Sequence, residues 1–459
     1  MTDFQGRPAR SAPWTQNSPR WSTSRTGAEP AAASGASTAD TGARKQRLIG
    51  IDAARGLALI GMISIHIMPS WDPVSFEPTA QWTVFAGRSA ALFALLTGVG
   101  LAFSTGGQSP HTGRAITADR VGVVVRALLI AGLGLVINEV IPGDSLAEVP
   151  AVNILVYYGV IFLLAVPFLS LSARALYTWA GFFALAGPVL MYLLRDVLPA
   201  VERYNPALTD LVGNPGATTA QLVLTGTFPA LPYLAYLLAG VAIGRLDLAD
   251  VGIQTTLLSL GVILAVTAWF AYWVLILQAG GYDQLLAHTP ALDEELIDDI
   301  INFGPDPALP TTTWWWLAIA GPYTNTPLAL LLGLGSAIAV LGLFLLLARG
   351  AGNWLLPLSA MGSMTLTVYS AHLLGLSAQL HYDQPMWFLI HMGVALVFAL
   401  IWHKVFGQGP LERVVAGIVR IVRRLVLGRH RQALDRFRTQ TLVVCSGGWC
   451  GDSHRVDRH

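Results

Sequence analysis

Beyond its opening Arg47, the apolar stretch RLIGIDAARGLALIGMISIHIMP at residues 47–69 carries three ionisable side chains. Asp52 and Arg55 sit one turn apart near its start, and His66 lies near its end. At about 3.6 residues per turn, the eleven positions from Arg55 to His66 make almost a whole number of turns. All three side chains therefore share one stripe of a helix, with about 20 Å of apolar helix between Asp52 and His66. A charged group inside hydrocarbon costs roughly 2.5–3.5 kcal/mol on the insertion scale, so one that is kept faces protein or a watery cavity. Histidine titrates near neutrality and suits proton transfer or acyl transfer, and it equally serves as a hydrogen-bonding group at a membrane interface. Asp52 and Arg55 read either as a structural ion pair or as a grip on an anionic cofactor arriving from the cytoplasm.

Other polar groups recur at the depth of His66. Arg88 lies in FAGRSAALFALLTGVG, near enough to a span end for its side chain to snorkel. Asn138 and Glu139 close the third apolar run, and Asn153, Tyr157 and Tyr158 open the fourth in NILVYYG. The segment GSMTLTVYSAHLLGLS sets Thr365, Tyr369 and His372 at four and three spacing on one helical face. His372 is then near mid-membrane, either functional or bridging helices. His391 and His403, nearer helix ends, read as structural. Polar groups from several spans thus converge in the outer half above a basic inner face. That suits a substrate site within the membrane, or a path across it.

The elements that must position these groups follow from composition. The 459-residue chain is 54% hydrophobic and only 12% charged, against about a quarter charged in a soluble domain. Apolar runs of about 20 residues predict an all-α polytopic membrane bundle. The first span is followed by others at 84–104, 121–141, 151–170, 173–194, 228–245, 255–278, 326–348, 358–380 and 386–405, about ten in all. Arg44, Lys45 and Arg47 put the N-terminus in the cytoplasm; Arg114, Arg120, Arg174, Arg245 and Arg349 fall in alternate connections, and the C-terminal tail from Lys404 is Arg-rich, so both termini are inside. The Arg-for-Lys skew with high Ala and Gly suggests a GC-rich bacterial genome, and the expected location is the plasma membrane. Residues 1–44 read as a disordered cytoplasmic tail and 45–406 as the membrane domain. Residues 407–440 read as a basic amphipathic interfacial helix and 441–459 as a disordered end. The outer acidic segment DEELIDDIINF is either a solvated surface or a collector of cationic groups. Gly333, Gly335, Ser336 and Gly342 permit close helix packing. Cys445, Cys450, His454 and His459 have no folded support, and no metal or nucleic-acid partner is expected; the oligomeric state is open.

The stretch RLIGIDAARGLALIGM resembles the opening of the YeiB-like and heparan-alpha-glucosaminide N-acetyltransferase-like membrane proteins, typically R-x-x-x-x-D-x-x-R-G-x-A. NILVYYG, TFPALPYLAYLLAGVAIGR, GSMTLTVYSAH and GPLER are similar to family segments in the same order, so the resemblance covers about 47–413. It implies transfer of an acetyl or other acyl group from cytoplasmic acyl-CoA to an extracytoplasmic glycan or similar cell-envelope acceptor. The eukaryotic enzyme uses a histidine after the first span and an acid entering the second. Here the 70–83 loop has no histidine and Arg88 stands near the acid's place, which leaves His66 as the nearest catalytic candidate, with His372 as the other. On this reading Arg88, Asn138, Glu139, Asn153, Tyr158 and Tyr369 bind the acceptor. Asp52, Arg55, Arg120, Arg126 and Arg174 position the CoA phosphates. The competing reading is a transporter or flippase for a small polar or lipid-linked substrate; the third is a non-catalytic scaffold.

Overall fold

The computed structural model describes residues 38–141, 151–200, 203–378 and 384–446. The expected N-terminal tail up to residue 37 and the Cys/His-bearing end from 447 lie outside the described residues. The principal helices are α1 (Thr38–Ile67), α2 (Arg88–Ser104), α3 (Gly113–Asn138), α4 (Leu155–Ala165), α5 (Ala173–Leu194), α6 (Ala230–Ile243) and α7 (Val251–Tyr272). They continue as α8 (Glu294–Phe303), α9 (Pro327–Ala351), α10 (Leu356–Gly362), α11 (Thr365–Ser377), α12 (Gln384–Phe406) and α13 (Pro410–Ser446). The protein is a helical membrane bundle. Among the described residues seven helices are long and apolar enough to cross a membrane, or eight if a pair bent by 45°, Pro215–Thr225 with Ala230–Ile243, counts as one span.

The remaining expected spans are short or interrupted. The run at 151–170 forms a short apolar helix, Leu155–Ser170. The run at 358–380 divides into α10 and α11 around Ser363 and Met364. That break is held from both sides. Gly362 ends α10 against the Asp52 carbonyl of α1, where an added Cβ would overlap the oxygen. Beyond the break, the first amides of α11 lack intrahelical acceptors, and Glu412 of α13 supplies them. Its Oε1 accepts from Leu366 N at 2.7 Å and Thr367 N at 3.2 Å, and its Oε2 from Thr367 Oγ1 at 2.6 Å. The Glu of GPLER is thus a helix cap reaching across 45 residues of sequence.

Small residues set the helix spacing. On α9, a Cβ at Gly342 would lie 2.5 Å from Leu258 N of α7, and one at Gly335 would overlap Ala265 N. On α1, Gly56 leaves room for the Leu358 carbonyl of α10. Helix α6 is buried along its length between α2 and α5, which fits its continuous apolar sequence. Helix α13 packs along α3: Val419 is buried, and Arg423 donates to Asp119, which also holds His111 Nδ1 at 2.6 Å. Val414, Ile421 and Leu425 remain exposed.

A knot of asparagines ties the end of α3 to the start of α4. Asn153 Nδ2 donates to Asn138 Oδ1 at 2.7 Å and to the Gly134 carbonyl at 3.2 Å, while its Oδ1 accepts from Leu155 N at 3.0 Å. Asn138 Nδ2 donates to the Pro206 carbonyl at 2.8 Å, and Asn205 Oδ1 accepts from Asn153 N at 2.7 Å. Buried amides satisfied in this way specify a geometry, and removing one member orphans the rest. Asn153→Ala is expected to destabilise the protein by about 1–3 kcal/mol, read as a lowered thermal midpoint in detergent, while donor binding by the folded fraction is unchanged. Glu412→Ala leaves three donors at α11 without an acceptor and is expected to cost a similar amount, about 1–3 kcal/mol; an unaltered midpoint would contradict the capping role.

Candidate functional site

The last turn of the α1 span opens onto a cavity of about 1120 Å³. His66 lines it, together with the 70–78 loop and α8. Helix α8 is amphipathic: Asp293 caps it by accepting from Leu296 N at 2.9 Å, and Ile297 is buried in a satellite core with Leu285, Trp316 and Ile319. Burying that face turns the other towards the cavity, so Glu294, Glu295, Asp298 and Asp299 line its wall. Glu77 and Asp306 add two further carboxylates, and among the described residues no Lys or Arg lines the cavity. Aromatic side chains, among them Trp71, Trp82, Phe228 and Tyr323, form much of the remainder. Trp82 Nε1 donates to the Asn302 carbonyl at 3.0 Å and so fixes α8 to the mouth. Tyr282 donates to Asp298 Oδ1 at 2.7 Å, and Tyr204 donates to Asp306. Burial, reinforced by those carboxylates, raises both phenols above their ordinary range, so each stays a donor at any physiological pH.

His66 does not act alone. Its Nδ1 lies 3.1 Å from Nε2 of His372 on α11, with the two rings near-parallel at 5°. His372, expected near mid-membrane, is therefore held at the end of the α1 span, where it is buried. One ring donates and the other accepts, so the bond couples their tautomers. Tyr369, one turn before His372, brings its ring centroid to 6.4 Å from that of His66. Its hydroxyl meets Ile154 N at 3.4 Å.

On the other side of Tyr369 lies a second cavity of about 300 Å³. Met62, one turn before His66, lines it, as do Arg55, Arg126, Tyr158, Tyr369 and Glu412. One turn of α1, roughly 6 Å, therefore separates a wall residue of one cavity from a wall residue of the other. Arg55 donates to Asp52 Oδ1 at 2.8 Å and to the Leu96 carbonyl at 3.2 Å, so the expected ion pair exists and still leaves the guanidinium in the cavity wall. Gly100 makes that position possible, because a Cβ there would lie 2.8 Å from Arg55 Nη2. Arg126 feels the like charges of Arg55 and Arg423. A cluster of cations in a membrane protein calls for an anion. The Tyr158 hydroxyl is also buried, with Thr97 as its neighbour in the same wall.

The other expected site residues stand elsewhere. Arg88 donates to the Thr83 carbonyl and lines a separate cavity of about 190 Å³ with Tyr233 and Tyr236. That cavity shares Pro78, Trp82, Asn302 and Tyr323 with the wide one, so Arg88 is a neighbour of the site across a common wall. Asn138 and Asn153 line neither the wide nor the narrow cavity, and their amides are committed to the knot described above. Glu139 is exposed and accepts from Leu208 N at 3.0 Å. Arg120 donates to Ser170 Oγ at 3.2 Å and Arg174 is exposed; neither lines the narrow cavity. His391 lies edge-on to His372 at 5.0 Å, and His403 Nδ1 is 3.3 Å from Ser363 Oγ. Sequence reasoning did not assign Glu412 to the narrow cavity. Its signal was faint: the first acidic residue in a helix otherwise read for its basic charge.

No curated protein matches the chain. Residues 47–276 match the family model described as heparan-alpha-glucosaminide N-acetyltransferase, catalytic. The matched segment starts at the polar stripe of α1 and holds Arg55, His66, Arg88 and Arg126, but it ends before α8 and α11. With half of its length matched, the chain belongs to the heparan-alpha-glucosaminide N-acetyltransferase catalytic family.

Proposed function

We propose that the protein transfers an acetyl or other acyl group from cytoplasmic acyl-CoA to an amine-bearing acceptor on the opposite side of the membrane. The sorting of arginines supports an orientation with both termini in the cytoplasm and about ten crossings, the interrupted helices included. The narrow cavity then opens inward and the wide one outward. The observation that carries the reading is His66. It lines the wide cavity, and it is held from behind by His372 within one helical turn of the narrow cavity.

The narrow cavity fits the donor in part. At about 300 Å³ it is at the lower limit for a small-molecule site, room for an acyl-pantetheine arm and not for the nucleotide. Arg126 and Arg55 meet the phosphates at its mouth, and the buried Tyr158 hydroxyl in its wall serves as a donor to the acyl carbonyl. The acidic, aromatic wall of the wide cavity favours a cationic acceptor over a polyanionic glycan. An ammonium drawn there loses one proton to the solvent-filled cavity. His66 Nε2 takes a second as the nitrogen bonds to the acyl carbon and the carbon–sulfur bond breaks; that proton then passes to the departing thiolate. Positioning across a thin partition supplies the rest.

His66→Ala is expected to lower acyl transfer in membranes by about 10²–10⁴-fold with acetyl-CoA binding retained; equal transfer by variant and parent excludes His66 as the base. Asp298→Asn combined with Asp299→Asn is expected to raise KM severalfold for an amine acceptor at low salt, with kcat nearly unchanged and a neutral hydroxyl acceptor unaffected. An amine KM insensitive to both substitutions and to salt would remove the cationic-acceptor assignment.

A transporter is the second reading, favoured by the α10–α11 break and by the bent pair ending in α6, since discontinuous helices line transport sites. It predicts substrate uptake that needs no acyl-CoA.

A further inference from the structure

The histidine pair has a second end. Behind His372, between α11 and α12, lies a cavity of about 360 Å³, within the range of small-molecule sites. Its walls are mostly apolar, including Val368, Ala371, Ile390 and Phe398; besides His372 and His391 they include Thr367, whose hydroxyl is already committed to Glu412 Oε2 at 2.6 Å and Leu411 N at 3.1 Å. His372 is only 3% exposed, and its Nδ1 has no hydrogen-bond partner among the described residues. His391 does not relieve it, since His391 Nδ1 is placed 3.1 Å from the Trp387 carbonyl and its ring meets His372 edge-on.

The chemistry of the pair says which partner is missing. His66 serves as a base through Nε2 only when its Nδ1 carries hydrogen and donates to His372 Nε2. His372 must then carry its own hydrogen on Nδ1, a buried donor aimed into an apolar pocket. Buried donors without acceptors are rare. The pocket therefore calls for an oxygen acceptor attached to an apolar body.

The membrane provides such a group. Helix α12 is exposed along most of its length, at Leu389, Val394, Val397 and Ile401, as is Ala371 of α11 at the pocket itself. Lipid chains cover surfaces of this kind. His372 sits level with the last turn of the α1 span through its bond to His66, close to where the hydrocarbon gives way to the headgroup region and its ester groups. We infer that the pocket holds one acyl chain of a glycerolipid whose ester carbonyl oxygen accepts from His372 Nδ1, so that a resident lipid keeps the pair in the tautomer that makes His66 a base. The consequence for catalysis rests on the reading of His66 given above, whereas occupancy of the pocket can be measured without it.

The test uses the full chain in nanodiscs with a photoreactive diester phosphatidylcholine, and neither acyl-CoA nor acceptor present. Labelling is expected on peptides of α11 and α12. A diether lipid of the same chain length, which lacks the carbonyl, should compete about 3–10-fold less well than the diester, the value of one hydrogen bond. That preference should vanish in His372→Phe, and Ala371→Phe, which fills the pocket, should abolish the label. Equal competition by diester and diether in the unaltered protein overturns the inference, as does labelling confined to other helices. If labelling succeeds while acyl transfer is never observed, the lipid site stands and the enzymatic reading falls.

Discussion

The structure depends most on one hydrogen bond between two imidazoles, His66 and His372, which joins α1 to the half-helix α11. Two histidines within a membrane bundle are costly unless each answers the other. Their bond fixes the relative position of the polar stripe of α1 and the Tyr369 face of α11. It also leaves each ring with one remaining nitrogen: that of His66 for the wide cavity, that of His372 for the apolar pocket. The break at Ser363 and Met364 serves the same end. An uninterrupted helix would need no cap at Leu366 and Thr367, and Glu412 would have no reason to reach them. Gly56 and Gly362 bring α1 and α10 close enough for α11 to start beside Arg55.

Around that partition the charges are segregated. Among the described residues one cavity is walled by six carboxylates, Glu77, Glu294, Glu295, Asp298, Asp299 and Asp306, and the other by Arg55 and Arg126 with the single carboxylate of Glu412, which is spent on capping α11. Opposed potentials on two sides of a thin wall suit an anionic donor and a cationic acceptor that approach from different compartments and meet at the wall. The family match covers α1 to α7, so the basic cavity and His66 largely come from the family's catalytic segment, while the acidic α8 and His372 lie outside it.

Much of this was legible in the amino acids because membranes make polar groups conspicuous. Asp52 with Arg55, His66, Tyr369 and His372 stood out by cost and helical spacing; the structure pairs Asp52 with Arg55 and, about 20 Å further along α1, sets His66 against His372 beside Tyr369. Gly335 and Gly342 were readable as close-packing positions for the same reason of scale. Depth, however, is not partnership. Asn138 and Asn153 share the depth of His66, yet they bond one another, and nothing in their spacing distinguishes a knot from a binding site. Arg88 likewise lies one wall away. Hydropathy averages over a window, so a two-residue break such as that after Gly362 leaves no trace in it. The acidic helix was visible as charge, but its orientation depends on where Ile297 finds a core, which is a tertiary fact.

On the proposed mechanism donor and acceptor reach His66 from opposite sides. Sidedness in sealed vesicles tests this most directly, using oriented protein with an amine acceptor enclosed in the compartment that the wide cavity faces. Radiolabelled acetyl-CoA added only to the opposite, narrow-cavity side should give acetylated amine inside the vesicle, with the thiol of CoA released outside. Product formed only when both substrates share one compartment, with none when they are separated, would contradict it.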